Sequence, residues 1–228
     1  MTAAEESPAL GALRAASARL ETAGADDGDP RVEAEAFDVA VEGRRCLDAG
    51  ASTGGFTDVL LRHGAREVVA VDVGYGQLVW SLRTDDRVTV LDRTNVRGLD
   101  AGAVGGPVDL VVADLSFISL RLVLDALLAV TTPDADLVPM VKPQFEVGRD
   151  RLGSGGVVRD PALRAAAVLG VVAAARERGL ALLGATASPL PGPAGNVEYF
   201  LWLRRGGAGT QEDDDAEVVA RAVAAGPS

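Results

Sequence analysis

The sequence predicts an α/β fold in which a mostly parallel sheet ends in a terminal antiparallel pair and carries helices on both faces. Three observations predict it. Short apolar runs alternate with segments of helical periodicity from about Arg31 onward. The runs fall at Arg45–Asp48, Val68–Asp72, Val88–Leu91, Val108–Ala113 and Leu137–Val141, the length of buried strands. The last two runs, Leu180–Ala187 and Glu198–Leu203, have no helical segment between them, and strands joined without a crossover helix are more naturally antiparallel.

Taken in order, residues 1–30 read as a helical or flexible N-terminal segment: Leu10, Leu13 and Leu20 recur at roughly helical spacing, and an acidic, glycine-containing breaker follows at 24–30. The main domain is expected over 31–205. Thr57–His63 and Leu120–Val130 carry apolar positions at 3.6-residue spacing and read as helices between strands. A glycine-rich loop, Val147 to Val158, leads to a long alanine-rich helix near Pro161, a residue suited to a helix's first turn. Residues 206–228 read as a mobile tail with a short helix at Glu217–Ala224. Trp80, Trp202 and Phe200 read as core.

Composition narrows the function. The 228 residues, 48% hydrophobic, suffice for one sizeable core. A lone Cys46 rules out a disulfide framework within one chain, and the start Met1-Thr2-Ala3-Ala4-Glu5-Glu6 has no basic stretch of the secretory kind, so a cytoplasmic protein is expected. The longest apolar run, Ala165 to Ala175, is short of the roughly 18 residues of a membrane span, so no membrane partner is expected. With one histidine, His63, and one cysteine, neither a metal site nor a Cys–His or Ser–His pair is expected. A net charge of −11 opposes non-specific binding to a phosphate backbone. Among 22 basic residues one, Lys142, is a lysine.

The first strand ends in Asp48-Ala49-Gly50-Ala51-Ser52-Thr53-Gly54-Gly55-Phe56. Glycines at a strand-to-helix turn admit a ligand close to the backbone, and the following helix offers N–H groups. Asp48, Gly50, Ser52, Gly54, Gly55 and Phe56 are therefore candidate cofactor contacts. Asp72 ends the next strand a little over 20 residues after Gly50, where an acid can accept hydrogen bonds from a ribose diol. NAD and S-adenosylmethionine both carry that ribose, so these two features leave the cofactor open. Asp114 and Lys142 follow two later strands, and ligands of open α/β sheets bind beyond the carboxyl ends of strands, which predicts that Gly50, Asp72, Asp114 and Lys142 converge on one edge. The alternative role for Asp114 is a helix N-cap, and for Lys142 an ordinary solvated lysine.

At these residues the chain resembles the TlyA family of ribosomal-RNA ribose 2′-O-methyltransferases, also called hemolysin A-like or FtsJ-like, from about Phe37 to Arg204. The segments Cys46–Leu61, Val71–Leu82, Val108–Leu120, Val141–Gly148 and Ala187–Leu203 carry it. The resemblance implies a Rossmann-like S-adenosylmethionine-dependent methyltransferase fold, S-adenosyl-L-methionine as cofactor, and methylation of the ribose 2′-hydroxyl of cytidine in ribosomal RNA. It assigns Asp114, Lys142 and Glu198 to a Lys-Asp-Lys-Glu catalytic tetrad, Asp114 also bordering the cofactor, and Asn95 to the adenine. In two respects the chain departs from the pattern: no counterpart of the family's N-terminal RNA-binding domain is evident, and Asp29 occupies the place of the first tetrad lysine.

In-line methyl transfer requires mainly that a weak ribose nucleophile be aligned with the methyl carbon. Lys142 would orient the 2′-hydroxyl, since two neighbouring carboxylates favour an ammonium, and an arginine could not act as base there. Three readings stand at this stage: an active ribosomal-RNA methyltransferase that recruits its RNA contacts from elsewhere, a degenerate relative that binds S-adenosylmethionine without turnover, and a NAD-type dehydrogenase.

The charge balance makes a testable prediction. Naked RNA should bind weakly at physiological salt, and the expected target is an assembled ribosomal particle or an RNA delivered by a partner. Of the arginines Arg149, Arg151 and Arg159 that flank the glycine-rich loop, Arg149 and Arg151 are expected to contribute to docking, the alternative being that these arginines only balance Glu146, Asp150 and Asp160. Filter binding across a salt series checks this, and tight, salt-insensitive binding to free RNA would contradict it.

Overall fold

The computed structural model describes residues 37–227 apart from 38, 193, 208 and 211. Seven strands, β1 (Arg45–Ala49), β2 (Glu67–Val71), β3 (Val88–Leu91), β4 (Val108–Ala113), β5 (Thr131–Val141), β6 (Leu180–Ala187) and β7 (Tyr199–Arg205), form one sheet of order β3-β2-β1-β4-β5-β7-β6. The first five are mutually parallel, and β7 pairs antiparallel with both β5 and β6. Around the sheet lie α1 (Gly55–Arg62), α2 (Trp80–Arg83), α3 (Ala101–Val104), α4 (Leu124–Ala129), α5 (Pro143–Glu146), α6 (Pro161–Arg176) and α7 (Glu212–Ala225). The direction of winding reverses between β1 and β4, so the crevice beyond their carboxyl ends is the switch point where such sheets hold ligands.

The two-residue period of the strands divides the core into two layers. Leu47 and Ala49 of β1, Val69 and Val71 of β2, and Val111 and Ala113 of β4 pack with Leu124 and Leu127 of α4 and Val168, Val171 and Val172 of α6. Cys46, Val68, Ala70, Leu110 and Val112 point to the other face, against Phe56, Val59 and Leu60 of α1 and the segment Phe37, Val39 and Val41. Both faces are covered, and for that reason the strands read as continuous apolar runs.

Four expectations need correction. The segment Leu120–Val130 is not one helix: a 3₁₀ turn at Leu120–Leu122, capped by the Ser119 side chain accepting from the Arg121 N–H, precedes α4. Strand β5 begins at Thr131 rather than Leu137. Its polar first half joins the sheet because the buried Asp136 accepts from Arg44 Nη1 at 2.6 Å, Arg204 Nε at 2.8 Å and Trp202 Nε1 at 2.8 Å. Burial alone would raise the Asp136 carboxyl, but hydrogen bonds from Arg204, Arg44 and Trp202 hold it below the usual carboxylate range. Trp80 is 77% exposed and not core, whereas Phe200 is buried.

The fourth correction concerns the expected mobile tail, most of which, Glu212–Ala225, is helical. Helix α7 runs from Glu212 to Ala225 and buries Val219 and Ala222 in the layer that holds α6. Asp215, itself buried, accepts from Arg176 Nε at 2.5 Å, Arg176 Nη2 at 2.6 Å and Thr210 Oγ1 at 2.6 Å. Sequence periodicity alone missed this because the helix's first turn, Glu212-Asp213-Asp214-Asp215, is entirely acidic and its anchor lies on a distant helix. The expected N-terminal helix and Asp29 lie outside the described residues. Among the described residues no helix is long and apolar enough to cross a membrane.

Arg176→Ala leaves Asp215 buried without its cation, so we expect a loss of about 2–3 kcal/mol in urea unfolding and new protease cleavage within 206–228. Unchanged stability would mean that α7 adds nothing to the fold.

Candidate active site

The site begins at the end of β1. Gly50 adopts φ +90°, and its N–H and that of Ala51 both donate to the Val71 carbonyl of β2, at 2.8 and 3.1 Å. A Cβ on Gly50 would fall inside the Asp114 carbonyl oxygen, so only glycine permits this approach of β1 to β4. The Asp114 N–H in turn donates to the Ala49 carbonyl at 2.9 Å. Asp72, just past β2, is held by two backbone donors, Ser52 N–H on Oδ2 at 2.9 Å and Gly74 N–H on Oδ1 at 2.6 Å. The acid is thus locked to the glycine turn before any ligand arrives.

Lys142 follows β5 directly, and Pro143 starts α5 behind it. Its ammonium lies 2.6 Å from Asp114 Oδ1, donates to Ser116 Oγ at 3.1 Å and stands 3.8 Å from Glu198 Oε1. Glu198 reaches this point because β7 runs antiparallel: Tyr199 pairs with Val141, so the start of β7 meets the end of β5. The side chains of Lys142, Asp114 and Glu198 are 11%, 18% and 9% exposed, shielded enough for their charges to interact strongly.

A cavity of about 620 Å³ joins the two regions. Of the residues expected from sequence, Gly50, Ser52, Asp72, Asn95, Asp114, Lys142 and Glu198 all line it. Asn95 Oδ1 caps a 3₁₀ turn by accepting from Arg97 N–H at 3.0 Å, which leaves its amide N–H groups as the means of meeting a ligand. Asp48, Gly54, Gly55 and Phe56, also expected as cofactor contacts, are not among the residues that line the cavity. Asp48 is fully buried and accepts from Thr57 Oγ1 at 2.7 Å. Phe56 packs edge-on against Phe200, and Gly54 precedes α1 in the left-handed region, tight against Leu78 and Leu82. These four shape the turn from behind.

Sequence reasoning missed Ser116, Phe117 and Gln77 in the lining. Ser116 had a signal: it stands two residues after Asp114, beyond the same strand. Phe117 is 91% exposed with φ +65°, a conformation that costs a non-glycine residue roughly 1–3 kcal/mol and gathers at functional sites. Around the glycine-rich loop, Arg151 and Arg159 donate to the Val147 and Ser154 carbonyls at 2.8 and 3.4 Å. The side chain of Arg149 is outside the described ones.

Residues 33–205 match the model of the FtsJ-like methyltransferase family. The chain is 63% identical over 201 residues to the 16S/23S rRNA (cytidine-2′-O)-methyltransferase TlyA of Mycobacterium tuberculosis, spanning 85% of this chain and 72% of that protein. It also resembles two solved structures described as hemolysins. One, from Streptococcus thermophilus, has a TM-score of 0.78 and 36% identity and covers 93% of this chain and 72% of that one. The other, from Lactococcus lactis, has a TM-score of 0.76 and 33% identity and covers 96% and 99%.

Burial pushes the Asp48 carboxyl up to about 7, the Thr57 hydrogen bond opposing it and the nearby Asp114 and Asp72 adding to it. Unfolded, this carboxyl ionises near pH 4. The folded chain therefore binds the extra proton between those values, and Asp48 lowers stability as pH rises through that window. Asp48→Asn, which keeps an acceptor for Thr57, should gain on the wild type by up to about 4 kcal/mol between pH 4 and pH 8. Urea midpoints at pH 4.5, 6 and 8 measure it; a pH-independent difference would mean that Asp48 is ionised in the folded chain.

Proposed function

The chain belongs to the FtsJ-like methyltransferase family, and from that premise we propose that it methylates the ribose 2′-hydroxyl of cytidine in ribosomal RNA, with S-adenosyl-L-methionine as methyl donor. The observation that carries this reading is the ammonium of Lys142, held by Asp114 and Ser116 beside Glu198, in the same cavity as the Gly50–Asp72–Asn95 wall. The residues fit the cofactor: Gly50 removes the one side chain that would obstruct the turn, and Asp72 is set by Ser52 and Gly74 to receive a ribose diol. Bound there, S-adenosylmethionine supplies a methyl carbon made electrophilic by its sulfonium.

The chain's own part is alignment. Lys142 lies 2.6 Å from Asp114 and 3.8 Å from Glu198 at the wall of the cavity, where its ammonium can meet a substrate hydroxyl oxygen. Lys142 donates to that oxygen and points its lone pair at the methyl carbon. Asp114 and Ser116 fix where the ammonium sits, and Glu198, accepting from the hydroxyl, would take its proton as the new O–C bond replaces the S–C bond. The bulkier guanidinium of arginine could not take this place without displacing Asp114 or Ser116. RNA is the substrate class, and an assembled ribosomal subunit is the form that suits a chain with a net charge of −11.

Transfer of labelled methyl groups to ribosomal subunits tests the reading. Lys142→Ala and Lys142→Arg should each lower kcat at least about a hundredfold, given what misplacement of an aligning group costs, while cofactor affinity stays within a factor of two. Asp72→Ala should weaken S-adenosylmethionine binding by about 1.5–3 kcal/mol in calorimetry. Efficient turnover by Lys142→Arg, or tighter binding of NAD than of S-adenosylmethionine, would overturn the assignment.

A further inference from the structure

Glu146 lies outside the set of residues that touch the cavity, yet it is among the most heavily engaged side chains near it. Its carboxylate is buried, at 2% side-chain exposure. One oxygen accepts from the Leu120 N–H at 2.7 Å, and the other accepts from Ser119 Oγ at 2.6 Å and Arg121 Nε at 3.2 Å. The Glu146 carbonyl takes a further bond from Arg121 Nη2 at 3.0 Å. All four donors belong to Ser119, Leu120 and Arg121, the far end of the loop that begins at Asp114.

That loop is anchored at both ends and bridged between them. At its start the Asp114 N–H is tied to Ala49 of β1. At its end it is tied to Glu146, which closes the single-turn helix α5 that starts directly after Lys142. Between the anchors, Lys142 reaches back to Asp114 and Ser116, and Phe117 occupies its unfavourable backbone conformation with its ring 5.4 Å from that of Phe145. A strained residue persists only where its surroundings constrain it, and Glu146 fixes the chain from Ser119 to Arg121, beginning two residues beyond Phe117. A buried carboxylate of this kind must be fully partnered, which ties the end of the 114–121 loop to the turn that carries Lys142.

We infer that Glu146 is a positioning residue for methyl transfer: it clamps the loop bearing Asp114 and Ser116 onto the turn bearing Lys142, and so sets the place of the ammonium. The inference rests on the proposed function for its catalytic consequence but not for its structural one. The cofactor side of the cavity, Gly50, Asp72 and Asn95, and the start of the loop at Asp114, tied to Ala49, are held by bonds that do not involve Glu146. Weakening the clamp therefore acts on the ammonium of Lys142 before it acts on cofactor binding.

Because Lys142 is the single lysine of the chain, protein labelled with ¹³C at lysine Cε gives one side-chain signal, which reports on the ammonium without any need for turnover. Glu146→Gln should move that signal toward the position of a solvated lysine and lower kcat on ribosomal subunits about tenfold or more, with S-adenosylmethionine affinity unchanged within a factor of two. Ser119→Ala should act in the same direction, and the double variant should be little worse than Glu146→Gln, as for two partners in one bond. An unmoved Lys142 signal, an unchanged kcat, or a parallel loss of cofactor affinity would each overturn the positioning role. If the wild type transfers no methyl while its Lys142 signal still responds to Glu146→Gln, the proposed function fails and the clamp stands.

Discussion

The close approach of Gly50 to the Asp114 carbonyl is the contact on which the rest of the site depends. It requires a residue without a Cβ in a left-handed conformation, and it brings the end of β1 against the end of β4 at the point where the sheet changes its direction of winding. From there the geometry propagates in both directions. Toward β2, the turn fixes Ser52, whose N–H holds Asp72. Toward β5, the anchored Asp114 becomes the counter-ion for Lys142. A side chain at position 50 would separate these two halves of one cavity.

The cavity keeps the negative sign of the chain as a whole, with Asp72, Asp114 and Glu198 around the one cation, Lys142. A net charge of −11 is spread over a surface that uses arginine almost throughout, and several of those arginines are spent on structure, as with Arg44 and Arg204 on Asp136 or Arg176 on Asp215. The lysine is kept for the place where a compact ammonium must fit among Asp114, Ser116 and Glu198. A planar guanidinium matches a carboxylate well, but it cannot present one compact charge to Asp114, Ser116 and a substrate hydroxyl at once.

Much of the site was legible because a parallel strand announces its own end. Asp72, Asp114 and Lys142 each follow an apolar run directly, and parallel pairing obliges those ends to share an edge. Glu198 was reached through family resemblance alone, since it precedes its strand and comes to the same edge only through the antiparallel direction of β7. The inward facing of Asp48 and Phe56 was hidden for a related reason: adjacency to a glycine turn says nothing about which side of the turn a residue faces, and both are buried. The polar half of β5 and the docking of α7 were hidden behind Asp136 and Asp215, whose partners lie far away in sequence.

By itself, then, the sequence determined the alternation of strands and helices, the glycine turn and the residues that terminate the parallel strands, because each depends on local periodicity or on a single backbone requirement. Only the tertiary structure decided which carboxylates are partnered and by whom. Glu146 looks in sequence like a surface acid near a basic loop; folding buries it against Ser119, Leu120 and Arg121. The physical reason is that an ionised group can leave water only where several donors converge on it, and that convergence is assembled from segments that no local pattern connects.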